Sequence, residues 1–457
     1  MSYQFRYIKF LNSLVDYAPA IHWCFKANAS KSLITAPKVW KSNSQQRRFN
    51  LSTITFTLYL LVNSNLAQSG WNNLGERKQF QVHGFATQGY IKTDNNNLFG
   101  KSTGYGSFDF REIGLVGSVK PSKATYLSAQ LLSRTAGKSN DGEIDLDFAI
   151  FDYRIADKMA YNYGFRLGRI KNPYGLFNDT RDMAYTRQNI LLPQSIYFER
   201  TRDLSMSSDG VEFYSQLNQE NGFINFQFVV SKPRVEDRNS EVILLGGNKP
   251  GRFAGDLTFL GRVSLNTFND KLILSYSEVQ LNFRYKPTDD EEDFEGNDAD
   301  VLFKLRILSA QLKYSNLILT AEYARRSFIF SGMSEAYVPS FLANTTGESY
   351  YLQLTYLLNQ NWRIYTRYDI LFQDKDDRYG RSYVDNVAAR NGTGVAYSRY
   401  AKDYLVGVQW NISSKWMVRA ELHEVEGVAW LSLNDNENLS ETKKFWHAGM
   451  FSISYRF

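Results

Sequence analysis

Cysteine is almost absent from this chain. Its 457 residues hold one cysteine, Cys24, and four histidines, of which His83, His423 and His447 lie beyond residue 67. One cysteine cannot form a disulfide framework within the chain, and it cannot build a thiolate metal site. We therefore expect neither a metal centre nor a cofactor.

Long apolar runs are also missing. The mean hydropathy is −0.40, and no run reaches the roughly 18–20 apolar residues of a membrane helix. A transmembrane β-barrel remains compatible with this composition, because only one face of each strand meets lipid. The aromatic content of 15%, with 30 tyrosines, suits the interfacial girdles of such a barrel, and only nine prolines argue against disorder.

The excess of positive charge is confined to the start of the chain. Residues 1–67 hold eight basic residues and one acid, so the totals of 53 and 47 fall to 45 and 46 in the remainder. The net charge of +6 thus becomes −1 once residues 1–67 are left out. A basic surface for nucleic acid is not indicated, and we expect no nucleic-acid partner.

Residues 1–67 read as an N-terminal leader. Arg47 and Arg48, the apolar stretch 51–62 and the polar stretch 63–67 resemble the three regions of a secretory signal peptide over about 47–67. Cleavage after Ala67 would leave 68–79 as a short N-terminal segment; the alternative is a buried strand or helix. Because export signals begin near the start of a chain, residues 1–46 suggest a mis-assigned translation start.

The last residues of the chain form a strand pattern. Phe451, Ile453, Tyr455 and Phe457 alternate with polar residues, and the chain ends on the final phenylalanine. In a barrel the apolar row would face lipid and the polar row a lumen. This ending resembles the terminal strand that outer-membrane β-barrels present to the barrel-assembly machinery, and these four residues are the expected assembly signal. The alternative is an edge strand of a soluble β-sandwich.

The same alternation repeats over 80–457. About ten alternating residues are followed by a connection, and every second connection is a short turn, whereas nearly all the others are longer. Short turns on one side and long loops on the other are typical of bacterial outer-membrane barrels, and sixteen strands would leave an aqueous channel. The pattern predicts an all-β fold, a transmembrane antiparallel β-barrel whose sixteen strands begin near residues 80, 107, 124, 144, 161, 209, 222, 254, 272, 301, 316, 348, 362, 400, 415 and 444. The strands at 272 and 301 change face midway, which predicts either a bulge or a misplaced strand boundary there.

The connection 172–208 carries a motif. It opens with Gly-Arg-Ile-Lys-Asn-Pro-Tyr-Gly at 168–175 and contains Ile-Tyr-Phe-Glu-Arg at 196–200. Here the chain resembles the 16-stranded trimeric porins of Gram-negative bacteria, and it is most similar to the phosphate/pyrophosphate-selective porins. The resemblance implies a third loop that folds into the barrel and narrows it. It implies that the constriction is bordered by Arg169, Lys171, Arg181, Arg187, Arg200, Arg202, Asp179, Asp182 and Glu199.

Charged residues also occur at the positions of strands that should face inward. The basic ones are Arg166, Arg262, Arg326, Arg363, Arg367 and Arg419, and inward acids oppose them. Facing rows of opposite charge would set a transverse field across a pore. The alternative is that each is a salt-bridged wall residue without influence on selectivity.

These patterns favour a porin that is not an enzyme. We expect passive diffusion of small hydrophilic solutes or ions through a water-filled channel in the outer membrane of a Gram-negative bacterium, with a weak anion preference. The expected partners are membrane lipid, lipopolysaccharide and two further copies of the chain in a homotrimer. A structural or adhesive barrel is the alternative, and an outer-membrane hydrolase using His423 is a weaker one, because no serine signature accompanies that histidine.

Overall fold

A computed structural model of the protein describes residues 79–235, 244–245, 251–286, 299–335 and 337–457. The predicted leader and most of the segment 68–79 lie outside the described residues. Within them, no helix is both long enough and apolar enough to cross a membrane.

Seventeen β-strands dominate the described residues. In chain order they are β1 Gln79–Thr93, β2 Ser107–Lys120, β3 Thr125–Ala136, β4 Asn140–Asp157, β5 Tyr161–Lys171, β6 Ser207–Gln219, β7 Gly222–Pro233, β8 Arg252–Gly255, β9 Thr258–Thr267, β10 Leu272–Lys286, β11 Ala299–Tyr314, β12 Leu317–Ser331, β13 Asn344–Leu357, β14 Trp362–Phe372, β15 Tyr400–Asn411, β16 Trp416–Gly427 and β17 Phe445–Arg456. Two helices lie in connections, α1 Arg202–Ser205 and α2 Arg381–Ala388. Short 3-10 turns occupy Asn178–Thr180, Glu199–Thr201, Ala396–Ser398 and Leu439–Glu441.

The strands form one closed antiparallel barrel. Apart from β8, each strand pairs with the next along the chain, β7 pairs with β9, and β17 pairs with β1 from Phe85↔Arg456 to Thr93↔Ala448. β8 and β9 both pair with β10, one above the other. The two therefore occupy a single strand position, and the barrel has sixteen strand positions. Because β1 pairs with both β2 and β17, the sheet closes without a free edge at the chain ends, as a lipid environment requires. The predicted fold class is confirmed, and most predicted strand starts lie within a few residues of the observed ones.

The two faces of the wall differ in chemistry. In β17, Phe451 is 45% exposed and Ile453 is 37% exposed, whereas Ser452 and Ser454 are buried. The same alternation holds in β12, where Leu317 and Leu319 face outward and polar side chains face inward. Apolar outside and polar inside is the arrangement of a barrel surrounded by lipid.

No bulge interrupts the pairing of β10 with β11, although the register shifts on the other edge of β10, between Gln280↔Phe259 and Phe283↔Gly255. β10 and β11 pair without a break from Leu272↔Leu312 to Tyr285↔Ala299. The apolar row that begins at Val279 in β10 lies on the inner face, because it continues the buried row of Ser275 and Ser277. The change of pattern therefore reflects a change in what covers the inner face.

The connections divide by length between the two ends of the barrel. Turns such as 158–160, 220–221 and 315–316 join strands at one end, and long connections such as 172–206 and 373–399 join strands at the other. One prediction is wrong here. The connection expected over 135–143 is short, because β3 extends to Ala136 and β4 already begins at Asn140.

Candidate functional site

The connection between β5 and β6, residues 172–206, is called the inner segment below. Its two ends are tied together: the Asn172 amide N–H donates to the Met206 carbonyl at 2.9 Å, and the Asn172 side chain donates to the Ser205 carbonyl at 2.7 Å. Ser208 in turn donates to the Asn172 side chain at 2.6 Å. Although it is a loop, most of its residues are buried, so the burial of its polar groups requires hydrogen-bond partners from other elements.

The Tyr197 hydroxyl forms three hydrogen bonds that anchor the inner segment. Its hydroxyl accepts from the backbone N–H groups of Leu176 and Phe177 at 2.8 and 3.0 Å and donates to Glu322 of β12 at 2.8 Å. Burial and the Glu322 carboxylate raise the pKa of Tyr197 well above its ordinary value, so the hydroxyl keeps its proton. Gly175 has φ +58°, and a Cβ there would lie 2.3 Å from the Tyr197 hydroxyl, so this turn requires glycine.

Ion pairs form a cluster where the inner segment meets β3, β4 and β5. Glu199 accepts from Arg134 of β3 at 2.6 Å and from Arg181 at 2.8 Å. Burial alone would raise the pKa of Glu199, but the charges of Arg134, Arg181 and Arg202 outweigh it and lower the pKa to about 2. The carboxylate is therefore ionised at neutral pH.

Asp182 forms the second half of this cluster. It accepts from Arg202 and, at 2.6 Å, from Lys171, which also donates to Asp147 of β4 at 2.5 Å. Burial opposes ionisation of Asp182, but Arg202 and Lys171 hold its pKa well below its usual range. Lys171, Arg181, Arg202, Asp182 and Glu199 are thus brought together in one cluster of ion pairs.

Further contacts join the inner segment to the polar row of the wall. Arg187 donates to Glu112 of β2 at 2.6 Å, and Gln188 accepts from Gln353 of β13 at 2.6 Å. The Ile190 amide donates to Glu421 of β16 at 2.6 Å. The wall arginines that donate to the inner segment are Arg262, which reaches the Gly175 carbonyl at 3.0 Å and Asp179 at 2.5 Å, Arg326 to Ser195, Arg367 to Leu191 and Arg419 to Arg187 and Asn189.

Two predicted site residues lie apart from this set. Arg169 pairs across the sheet with Asp209, to which it donates at 2.8 Å, and its place in β5 continues the outward row of Leu167 and Phe165. Arg169 therefore bonds to the neighbouring strands, through Asp209 and the Leu146 carbonyl, and not to the inner segment. Arg166 faces inward, but it bonds Asp152 and Glu212 of the neighbouring strands at 3.0 and 2.9 Å, which fits the alternative of a salt-bridged wall residue.

Arg363 also lies on the inward row of β14, between the exposed Trp362 and Ile364. The terminal-strand residues face outward as predicted, and the Phe457 backbone exchanges hydrogen bonds with Gly84 of β1 at 3.2 and 3.0 Å. This contact completes the seam between the first and the last strand.

Apolar packing holds the inner segment on two sides. One cluster joins Tyr174, Leu192 and Ile196 to inner-row residues of β7–β13 such as Phe283 and Phe303. A second cluster joins Ile190, Leu191 and Phe198 to inner-row residues of β1, β2 and β14–β17, together with Trp430 from the β16–β17 connection. The apolar inner row of β10 and β11 is therefore covered by protein, which explains the change of pattern there.

Several residues of this site escaped prediction. Glu112 and Arg134 were not singled out, although both occupy the inward positions of β2 and β3. Their alternation with outward apolar residues such as Leu115 was the available signal. Tyr197 belongs to the motif at 196–200, but nothing in the sequence relates its hydroxyl to Glu322.

His423 does not resemble a catalytic base with a nucleophile. Its two ring nitrogens contact Asp403 at 3.0 Å and Glu421 at 3.3 Å. In the described part of the chain, no group of three metal-ligating side chains has the geometry to hold an ion.

Comparisons with known proteins identify the fold. No protein-family model matches the sequence, and no curated protein matches it. Among solved structures, the anion-selective porin from Comamonas acidovorans is 11% identical and has a TM-score of 0.50, with 83% of this chain and 100% of that chain covered. Salmonella typhi OmpF, in a complex with daunomycin, is 13% identical with a TM-score of 0.50, and 83% of this chain and 97% of that chain are covered.

These similarities concern the fold, and they agree with the closed sixteen-stranded barrel and its apolar outer face. The predicted porin-like barrel is confirmed as a fold. The chain has the fold of the outer-membrane porins of Gram-negative bacteria.

Proposed function

We propose that the protein forms a water-filled channel for passive diffusion of small hydrophilic solutes or ions, and that the inner segment crosses the lumen and narrows it. The observation that carries the proposal is the pair of neighbours Arg187 and Gln188. Arg187 bonds Glu112 of β2, whereas Gln188 bonds Gln353 of β13. By the shorter way round the barrel, five strands separate β13 from β2. Adjacent residues that reach walls so far apart support a segment that runs through the interior.

The charges of the proposed constriction are largely compensated. Arg181, Arg187, Arg202 and Lys171 each contact a carboxylate of the inner segment or of the wall. Paired charges still produce local fields, which polar solutes tolerate better than apolar ones. A weak anion preference depends on the arginines that lack such a partner.

The alternative of a structural or adhesive barrel is less well supported. Structural barrels are small and filled by their own wall side chains, whereas sixteen strands enclose a wider interior. Here the filling is a separate segment with a polar cluster on one side. Assembly as a homotrimer and contact with lipopolysaccharide remain predictions from the resemblance.

The test is a planar-bilayer measurement on the purified protein and on a variant in which 178–198 is replaced by a short Gly-Ser linker. If the inner segment narrows the pore, single-channel conductance rises in this variant while the barrel stays closed. The matched control replaces residues 385–392 of the β14–β15 connection, which are mostly exposed, and its conductance stays at the wild-type value.

Barrel closure is checked by the mobility shift between unboiled and boiled samples. A closed variant with unchanged conductance would contradict the position of the inner segment. Wild-type protein that inserts into the bilayer without any conductance would contradict the channel itself.

A further inference from the structure

His423 of β16 is a buried side chain with a carboxylate on each side of its ring. Its Nδ1 lies 3.0 Å from both carboxylate oxygens of Asp403 in β15, and its Nε2 lies 3.3 Å from Glu421, two positions earlier in β16. An ionised carboxylate only accepts hydrogen bonds, so both contacts form only when both ring nitrogens carry a proton. The two acceptors therefore assign the imidazolium form to His423.

Glu421 holds the inner segment directly. One of its carboxylate oxygens, Oε1, accepts from the Ile190 amide at 2.6 Å and from the Tyr365 hydroxyl of β14 at 2.7 Å. The other oxygen, Oε2, is the one that His423 contacts. His423 therefore fixes the orientation of the carboxylate that binds Ile190.

Asp403 acts on the next residue of the inner segment through an arginine. It lies 3.6 Å from the guanidinium group of Arg367 in β14, and Arg367 donates to the Leu191 carbonyl at 3.2 Å. Asp403, Arg367 and His423 are almost fully buried, so the loss of one partner from this set is costly. His423 is thus linked to two successive residues of the inner segment by two separate paths.

The charge of the imidazolium balances its surroundings. The ionisable groups around His423 in the described part of the chain are Asp403 from β15, Glu421 and, four positions earlier, Arg419 from β16, and Arg367, Asp369 and Tyr365 from β14. The residues of β17 beside it are apolar, namely Trp446, Ala448 and Met450. Three carboxylates therefore meet two guanidinium groups, and the imidazolium supplies the third positive charge.

The loss of one proton from His423 would break this arrangement at a defined place. A neutral imidazole has one N–H donor and one acceptor nitrogen. The donor stays with Asp403, because Nδ1 has the shorter contact and two oxygens to bond. Nε2 then turns a lone pair toward Glu421, and two acceptors that face each other cannot bond. Displacement of Glu421 takes the acceptor away from the buried Ile190 amide.

We propose that His423, as an imidazolium, is a positioning residue of the channel, and that the loss of its proton at alkaline pH frees residues 190–191 from the wall. The proposal rests on the proposed function, in which the inner segment narrows the pore, and it adds a control of that constriction. The positive charge is present at neutral pH and disappears as the pH rises. The fixed, narrow form therefore belongs to the neutral side and the loosened form to the alkaline side.

Single-channel recording over about pH 6–10 tests this control. In the wild-type protein, conductance and current noise should rise on the alkaline side. His423→Gln cannot carry the charge, so it should show the raised values already at neutral pH and little further change. At neutral pH, trypsin should cleave this variant after Arg187 about tenfold faster than wild type, the order expected for one lost hydrogen bond to a charged group. The control is His447→Gln, which should keep the wild-type pH response, because the exposed His447 pairs with Asp94 at 2.7 Å outside this set.

Glu421→Gln separates the charge from the packing of this site. Its amide oxygen can accept from Ile190 as the carboxylate does, and its NH2 group can donate to the Nε2 of a neutral imidazole. This variant should therefore keep the neutral conductance of wild type and lose the alkaline response, which a merely structural role of His423 does not predict. NMR of isotope-labelled protein gives an independent measurement: the ring signals that disappear in His423→Gln should show two protonated nitrogens at neutral pH.

The outcomes separate this proposal from the channel itself. If the channel conducts but His423→Gln keeps the wild-type alkaline response, or if the His423 ring carries one proton at neutral pH, the proposal is overturned while the channel stands. If the wild-type protein does not conduct, the proposed function fails, and the NMR and trypsin measurements still decide whether the imidazolium holds the inner segment. Heat-modifiable mobility shows that the barrel of each variant is folded.

Discussion

Replacing Glu199 by Gln should loosen the inner segment without opening the barrel. The carboxylate binds Arg134 and Arg181, whose side chains are almost fully buried. A pKa of about 2 in the folded protein, against an ordinary value of 4.5, corresponds to about 3 kcal/mol of stabilisation of the ionised form. Glutamine keeps the size and one acceptor, but it leaves Arg181 without its carboxylate partner and Arg134 with only Glu112, at 3.5 Å.

The expected pH dependence of the conductance follows from the direction in which the pKa of Glu199 is shifted. Because the folded pKa of Glu199 is lowered, its contribution is fully present above about pH 4.5 and disappears as the pH falls toward about 2. Wild-type protein should therefore keep its neutral conductance at pH 5 and change below about pH 4. In Glu199→Gln this acid response shrinks but persists in part, since Asp182 also has a lowered pKa.

Trypsin at neutral pH and single-channel recording would measure the loosening. If the lost stabilisation of about 3 kcal/mol appears entirely as local opening of the inner segment, cleavage after Arg181 or Arg187 accelerates on the order of a hundredfold in Glu199→Gln. The single-channel current also becomes noisier. Glu335→Gln is the control, because Glu335 forms an exposed pair with Arg390 at 2.7 Å. Cleavage and current noise equal to wild type in Glu199→Gln would refute the assignment of Glu199 as an anchor.

Three further predictions concern the leader, the terminal strand and the charge of the inner segment. The mature protein should begin at or near Gln68, which N-terminal sequencing of the membrane fraction would show; a start at Met1 would contradict the leader. Deletion of Phe457 should lower the amount of protein in the outer membrane more than the stability of the folded fraction, measured by immunoblot and heat-modifiability, and unchanged amounts would argue against its role in assembly. Neutralising four arginines of the inner segment together should move the reversal potential in a salt gradient toward cation preference, because the acidic residues of the wall and of the inner segment remain charged. An unchanged reversal potential would assign selectivity to residues of the wall. The four are Arg181, Arg187, Arg200 and Arg202.

Strand positions could be predicted because the information is local. A lipid-facing strand must alternate every second residue, so rows such as Phe451, Ile453 and Tyr455 identify both the strand and its outer face. The strand beginning at Trp362 was predicted at its observed start, since its outward row and its turn are both contiguous in the sequence.

The contacts of the inner face could be predicted only in part, because the residues that bond to its side chains are distant in the chain. Glu112 and Arg187 are 75 residues apart, and Ile190 and Glu421 are 231 residues apart. Alternation assigns a side chain to the inner face, but it does not say whether water or protein covers that face. The change of face near Val279 therefore predicted a bulge or a misplaced boundary, although the apolar inner row there is a surface that protein covers.

The charge preference of such a channel cannot be deduced from counts of acidic and basic residues. The inner segment and its wall carry many arginines, but Arg166, Arg181 and Arg187 are each matched by a carboxylate that the fold brings to them. What acts on a solute is the charge left over after this pairing, and only the three-dimensional structure shows which arginines remain. In this barrel the apolar clusters hold the inner segment and the ion pairs neutralise most of its charge, whereas arginines such as Arg200, Arg326 and Arg419 donate only to neutral oxygens among the described residues. Selectivity should therefore depend more strongly on these unmatched arginines than on the larger number of paired residues.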